Sequence, residues 1–234
     1  MNLGYTFRDK IYRRLRQDRM GSRALYSVAA SLYWLTRVGK LYTGTRIVEI
    51  PWVLRQLRML GHGGDKVLQL GNVILKQALT SYQVEVVDLD AEETSGTDLE
   101  VHKADIREVS LPQNYFDVAL SISTLEHIGL MEPRFPDGDE LAADIVSQAL
   151  KPGGVFLLSV PFGRPVVLNK FRVYDRARLD FLTRDRFSNV EQHFYVWNKL
   201  RWHRVSSEEA ETVGFLNNNP STNLGLALVK GRKK

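Results

Sequence analysis

Several residues able to do chemistry stand just after runs that read as buried strands. Glu126 and His127 lie in "SISTLEHIG" (121–129), at the end of the apolar run "FDVALSIS". An imidazole with an ordinary pKa near neutrality suits proton removal, and a carboxyl beside it can act in the same way. Asp88, with Asp90 behind it, closes "VEVV", where a carboxylate can accept hydrogen bonds from a ribose diol. Asp105, in "ADI", can accept from an adenine amino group. Gly71, after "VLQL", permits a tight turn and a close approach of backbone to a ligand. Taken singly, Gly71 is also turn chemistry, Asp88 a solvated strand end and His127 a pairing or capping residue. Their order along one chain is what argues for a site.

The composition limits that chemistry. With no cysteine among 234 residues, disulfide frameworks, thiolate metal sites and cysteine nucleophiles are excluded, and a reducing, cytoplasmic compartment is expected. Five histidines and 27 acidic residues show no metal-ligand spacing, so no metal is predicted. Hydrophobic residues at 44% and charged residues at 25% are ordinary globular values. The net charge of +5 is unevenly spread. Residues 1–40 hold nine basic against two acidic side chains, and four more basic groups stand in the last five positions, leaving the body between them with 19 basic and 25 acidic groups. A nucleic-acid footprint would have to come from the termini alone, so nucleic acid is not the expected partner.

These residues need a scaffold, and the pattern supplies one. From about residue 45 onward, strand and helix signals alternate. Pro51 fits the first turn of a helix through "WVLRQLRML", which ends at "GHGGD". Strands are expected at 66–70, 84–90, 99–106, 116–123 and 155–161, with helices near 73–80 and 140–150; "KPGG" (151–154) reads as a helix end and tight turn. A helix near 175–182 and strands at 188–196 and 224–230 follow. Such alternation predicts an α/β fold: a doubly wound, mostly parallel sheet of about seven strands with helices on both faces, over residues 46–234. In open sheets of that kind ligands bind beyond the carboxyl ends of the strands, where the residues above fall.

Residues 1–45 are expected to form a separate helical extension. Phe7, Ile11 and Leu15 make one apolar stripe in a basic helix over 7–20. It either packs on the domain or a partner, or lies on an anionic membrane surface together with the uncharged segment Ala24–Thr36. That segment, 13 residues long, is too short to span a bilayer, and no export signal is read.

At these positions the chain resembles the class I S-adenosylmethionine-dependent methyltransferases, whose fold is Rossmann-like. The resemblance runs from about Pro51 to Pro161 through "VLQLGN", "VEVVDLD", "ADI", "FDVALSISTLEHIG" and "LKPGGVFLLSVP", in the family's order. "PWVLRQL" and "STLEHIG" look further like a bacterial subset of small methyltransferases. The resemblance implies S-adenosylmethionine as cofactor and S-adenosylhomocysteine as product. Asp88 would then bind the ribose, Asp105 the adenine and Gly71 the methionine portion, with Gln69, Asn72 and Ser121 completing the site. Two departures stand out. Gln69 replaces the usual acid, and "GNVIL" replaces the usual glycine-rich run, with 17 positions from Gly71 to Asp88 where about 20 are expected.

The expected reaction is methyl transfer to an oxygen or nitrogen of a small-molecule or glycan-type acceptor, with His127 as base and Glu126 as a weaker candidate. The loops 131–140 and 161–175 are expected to form the acceptor wall, and Arg164, Lys170 and Arg172 to meet an acidic group there. The main alternative is a non-catalytic scaffold on the same fold, prompted by the altered glycine loop. A nicotinamide enzyme is disfavoured because no G-x-G-x-x-G is present.

Overall fold

The structure is a computed structural model describing residues 44–60, 64–71, 79, 81–90, 100–131, 134–168, 170–198, 201–214 and 225–234. The expected N-terminal helix over 7–20, the segment Ala24–Thr36, Asn72 and most of the helix at 73–80 lie outside them. The compact unit runs from Thr43 to Lys234.

Helix α1 (Arg46–Leu60) opens the unit. It begins earlier than expected, so Pro51 falls inside it and not in its first turn. The first turn is instead stabilised by an i,i+3 pair, Arg46 to Glu49. Five parallel strands follow: β1 (Lys66–Leu70), β2 (Gln83–Val87), β3 (Glu100–His102), β4 (Phe116–Ile122) and β5 (Leu150–Pro161). Between the last two runs helix α2 (Gly138–Ala149). The strand expected over 99–106 is only three residues long, because Asp105 caps a 3-10 turn over Ile106–Glu108 and so stops the extended run. "KPGG" follows directly on the end of α2, which Leu150 caps, and is itself drawn into the start of β5. Phe116 pairs with Leu150 but Val118 with Val155, so the extra residues bulge, with Gly153 at φ +75°.

Beyond β5 the chain makes a small hairpin, β6 (Val166–Val167) with β7 (Arg172–Val173), that the sequence did not announce. Helix α3 (Arg176–Thr183), β8 (Phe187–Asn198), β9 (Arg201–Val205), a short helix α4 (Ser207–Glu211) and β10 (Gly225–Lys233) complete the unit. Adding β9 makes the sheet eight-stranded, ordered β3-β2-β1-β4-β5-β10-β8-β9, with the last three strands antiparallel to their neighbours.

Alternation along the strands divides the core between the two faces. Leu68, Leu70, Ala119, Phe156 and Leu158 pack with α2 and α3 residues such as Val146 and Leu179. Val67, Val118, Leu120, Ile122 and Leu157 pack with Val53 and Leu57 of α1. The parallel strands are buried on both sides, which explains why their sequences read as near-continuous apolar runs.

Candidate cofactor and acceptor site

The carboxyl ends of β1, β2, β3 and β4 lie side by side, and the predicted cofactor residues among the described ones, all but Asn72, stand there. Gly71 follows β1 with φ +71°, and its amide donates to Val87 O at 2.9 Å. A Cβ at this position would collide with Thr124 Oγ1, so the first and fourth strand ends touch only because residue 71 is glycine. Gln69 is buried at 2% exposure; its Nε2 donates to Gly71 O at 2.8 Å, while its Oε1 has no partner. A carboxylate here could not make that donation. The glutamine therefore has a structural use, drawing back the carbonyl of the turn.

Asp88, after β2, is half-buried; its amide donates to His102 O at 3.1 Å and its Oδ1 accepts from Asp90 N at 2.9 Å. Asp105 is committed more heavily, accepting from Arg107 N (2.9 Å), Nε (3.0 Å) and Nη2 (2.6 Å). Burial works against its ionisation, but these Arg107 hydrogen bonds outweigh it and hold the carboxyl below its usual range. An adenine amino group would have to share an oxygen already in use. Ser121, paired with Leu70 across the sheet, is fully buried and its Oγ has no partner.

After β4 the chain turns through Ser123 (φ +43°) into a 3-10 turn, Leu125–His127. Glu126 is buried and one oxygen, Oε2, has no partner. Burial pushes its carboxyl up to about 8; nearby Glu49 adds to the shift, and Arg46 and Arg172 oppose it. His127 is half exposed, with Nδ1 against the carbonyl of Lys170. A carbonyl only accepts, so Nδ1 carries the proton and Nε2 is the basic nitrogen, 3.8 Å from Glu126 Oε1.

The three cations expected to meet an acceptor are not equivalent. Arg164 and Lys170 are exposed on the 161–175 segment. Arg172 is not: it is 4% exposed, and its guanidinium donates to the carbonyls of Leu125 (3.3 Å), Ile128 (2.9 Å) and Pro136 (2.8 Å), with Asp139 at 3.7 Å. The expectation that Arg172 reaches substrate is thus corrected. These bonds fasten the Glu126–His127 turn to the β6–β7 hairpin. Asp139, itself buried, is held by Tyr174 Oη at 3.0 Å and Arg178 Nη2 at 2.7 Å.

Glu49, Ser159 and Thr124 belong to the same neighbourhood and were missed. Glu49 carried a readable signal: it stands four residues before Val53 and eight before Leu57, on the stripe that faces the core. Away from this edge, Glu85, Glu100 and His102 bring their ligand atoms within 4.8 Å of one another on β2 and β3. The histidine sits between the two carboxylates, at 3.5 and 3.7 Å.

Three buried oxygens without partners (Gln69 Oε1, Ser121 Oγ and Glu126 Oε2), a glycine turn that admits no side chain, and carboxylates just after β2 and β3 line this edge, a polar set whose chemistry suits a nucleoside bearing an amino-acid tail. Residues 66–158 match the methyltransferase-domain family. A search of curated protein sequences finds no match. Among solved structures, the chain is similar to a Burkholderia thailandensis 1,6-didemethyltoxoflavin-N1-methyltransferase bound to 1,6-didemethyltoxoflavin and S-adenosylhomocysteine, at 16% identity and TM-score 0.54, covering 93% of each chain. It is similar to a Haemonchus contortus phosphoethanolamine N-methyltransferase 2 in complex with S-adenosyl-L-methionine, at 16% identity and TM-score 0.54, over 84% of this chain and 56% of that one. The [4+2]-cyclase SpnF shares the fold at 14% identity and TM-score 0.51, over 78% and 80%. The sheet order and the glycine turn agree with the methyltransferase-domain match over residues 66–158, and the chain shares the Rossmann-like fold of these solved structures.

Proposed function

We propose that the chain transfers a methyl group from S-adenosylmethionine to an oxygen or nitrogen of a small-molecule or glycan-type acceptor. The observation that carries the reading is His127: a basic Nε2 at the rim of the site, its ring fixed through Nδ1 by the Lys170 carbonyl. The cofactor supplies an already activated methyl group, which leaves the protein to align and deprotonate the acceptor. Gln69, Gly71, Asn72, Asp88, Asp105 and Ser121 would hold the cofactor. His127 would take the acceptor proton as attack proceeds, and Glu126 would stay behind it as a neutral acid near pH 7. Arg164 and Lys170 remain the candidates for an acidic group on the acceptor. Two of the similar solved structures are N-methyltransferases acting on small molecules, which supports a small acceptor. The absence of cysteine suits a cytoplasmic setting. No helix among the described residues is long and apolar enough to cross a membrane, and a membrane-surface or partner contact is proposed for residues 1–40.

A second reading, a non-catalytic protein on this fold, is favoured by Gln69, which gives a neutral hydrogen bond where the family's usual acid would give a charge-assisted one. Calorimetric titration with S-adenosylmethionine and S-adenosylhomocysteine, beside Asp88→Ala, separates the two. Micromolar binding that the substitution abolishes supports the enzyme; folded protein that binds neither ligand supports the scaffold.

A further inference from the structure

Helix α1 lies outside the segment that matches the methyltransferase family, yet it sends a buried carboxylate to the end of β4. Glu49 is fully buried on the helix face that also carries Val53 and Leu57. A buried carboxylate persists only if its oxygens are satisfied, and here they are. Arg46 Nη1 donates to Oε2 at 2.6 Å, while Ser123 Oγ and Ser159 Oγ both donate to Oε1, at 2.5 and 2.7 Å. Ser123 N in turn donates to Ser159 Oγ at 3.0 Å and Ser159 O at 3.1 Å, and Arg46 Nη1 reaches Ile122 O at 3.4 Å. One carboxylate thus joins a helix to the ends of two neighbouring strands.

The residue it grips is a strained one. Ser123, at φ +43°, occupies the left-handed region that a side chain with a Cβ disfavours, and such a conformation lasts only where its surroundings enforce it. From this residue the chain swings so that Thr124 closes on Gly71 and the turn 125–127 offers Glu126 and His127. We propose that Glu49 is a positioning residue of this site, fixing through Ser123 the turn that carries Glu126 and His127. What that turn does catalytically rests on the methyl-transfer reading; how it is held does not.

Glu49 also places a negative charge near Glu126. Among the described residues, the other charged or titratable groups that face Glu126 are Arg46 of the same helix as Glu49, Arg172 of β7, Tyr174 just after it and His127 of its own turn. Glu49 therefore acts by reach and by charge, and two substitutions separate these. Glu49→Asp keeps the charge but withdraws the carboxylate by one methylene; Glu49→Gln keeps the reach but removes the charge.

The test uses the full chain. Amide hydrogen exchange over residues 123–128 reports the turn, and carbon NMR of the glutamate carboxyls, with Glu126→Gln as assignment control, reports the titration of Glu126. Glu49→Asp is expected to speed exchange at least tenfold in the turn, and turnover, where it is measurable, to fall by a similar factor. Glu49→Gln is expected to lower the Glu126 titration midpoint by about one pH unit. Ser123→Gly, which makes the left-handed turn intrinsic, should restore slow exchange in the Glu49→Asp background, a rescue that general destabilisation would not give. Unchanged exchange in Glu49→Asp together with an unmoved midpoint in Glu49→Gln overturns the proposal. If the Glu49 variants fail to fold, Ser123→Ala, which removes one of the two hydroxyls, decides by the same exchange measurement. Wild-type protein that binds no S-adenosylhomocysteine would fail the methyl-transfer reading while leaving the exchange and NMR outcomes to judge Glu49.

Discussion

His127 and Glu126 are chain neighbours with opposite environments, one half in water and one sealed. Replacing His127 by Ala removes the basic nitrogen but none of the residues proposed to hold the cofactor. Turnover should fall about 10²-fold or more, the usual contribution of a general base, while calorimetry finds S-adenosylhomocysteine affinity close to wild type. Glu126 has a folded pKa raised above its ordinary value, toward about 8. Its protonated form therefore favours the fold below pH 4.5, and that contribution is lost as pH rises through about 8. Thermal melts from pH 5 to pH 9 should show wild-type stability falling more steeply than that of Glu126→Gln. Gly71→Ala tests the contact between strand ends. Both the positive φ and the Thr124 side chain oppose a Cβ there, so affinity for S-adenosylhomocysteine should drop more than tenfold, and adding Thr124→Ala should recover only part of it. Strand-end residues of this sort were legible because position after an apolar run is a one-dimensional fact. The partners of Asp105 and Gln69 were less so, since nothing in "ADIRE" says that Arg107 folds back to take the carboxylate.

Among the elements, the small hairpin β6–β7 shows best where reading the sequence stops. Val166–Val167 and Arg172–Val173 are too short to give a periodic signal, and Arg172 looked like any loop cation. Its burial arises from partners 36 to 47 positions away in sequence, a separation no local pattern encodes. Removing it should take a donor from three carbonyls, of which Leu125 O keeps the Ile128 amide. Arg172→Ala is expected to cost about 2 kcal/mol or more, in keeping with hydrogen bonds from a charged donor, and to accelerate amide exchange in both 125–128 and the hairpin. The early start of α1 has a similar cause, because Pro51 pointed to a first turn while Arg46 and Glu49, joined to β4 and β5, supply the real one. Helix α2 and strands β1, β2 and β4 were readable within a few residues because burial on a sheet face is what shaped their sequences.

The molecule as a whole is an acidic body with basic ends, and that asymmetry was countable at the outset. It gives the apolar stripe of residues 7–20 a test in the intact chain. Reversing Arg13, Arg16 and Arg19 to Glu should abolish co-sedimentation with vesicles rich in anionic lipid if the segment lies on a membrane surface, and should change nothing if it packs on protein. The number of strands was less accessible, since β9 follows β8 after a two-residue interval and merges with it when only apolar density is read. The sheet order also carries a temporal consequence. Strand β10 lies between β5 and β8, although α3, β8, β9 and α4 intervene in sequence, so the β8–β9 hairpin can form from local pairing long before it has a seat. Pairings across such a separation form late, because loop closure must precede any reward. Until then β5, with "VFLLSV" along it, is an open sheet edge, the kind of surface on which nascent chains cross-associate. During refolding, the side of the sheet remote from the proposed cofactor site would therefore set both the pace and the losses.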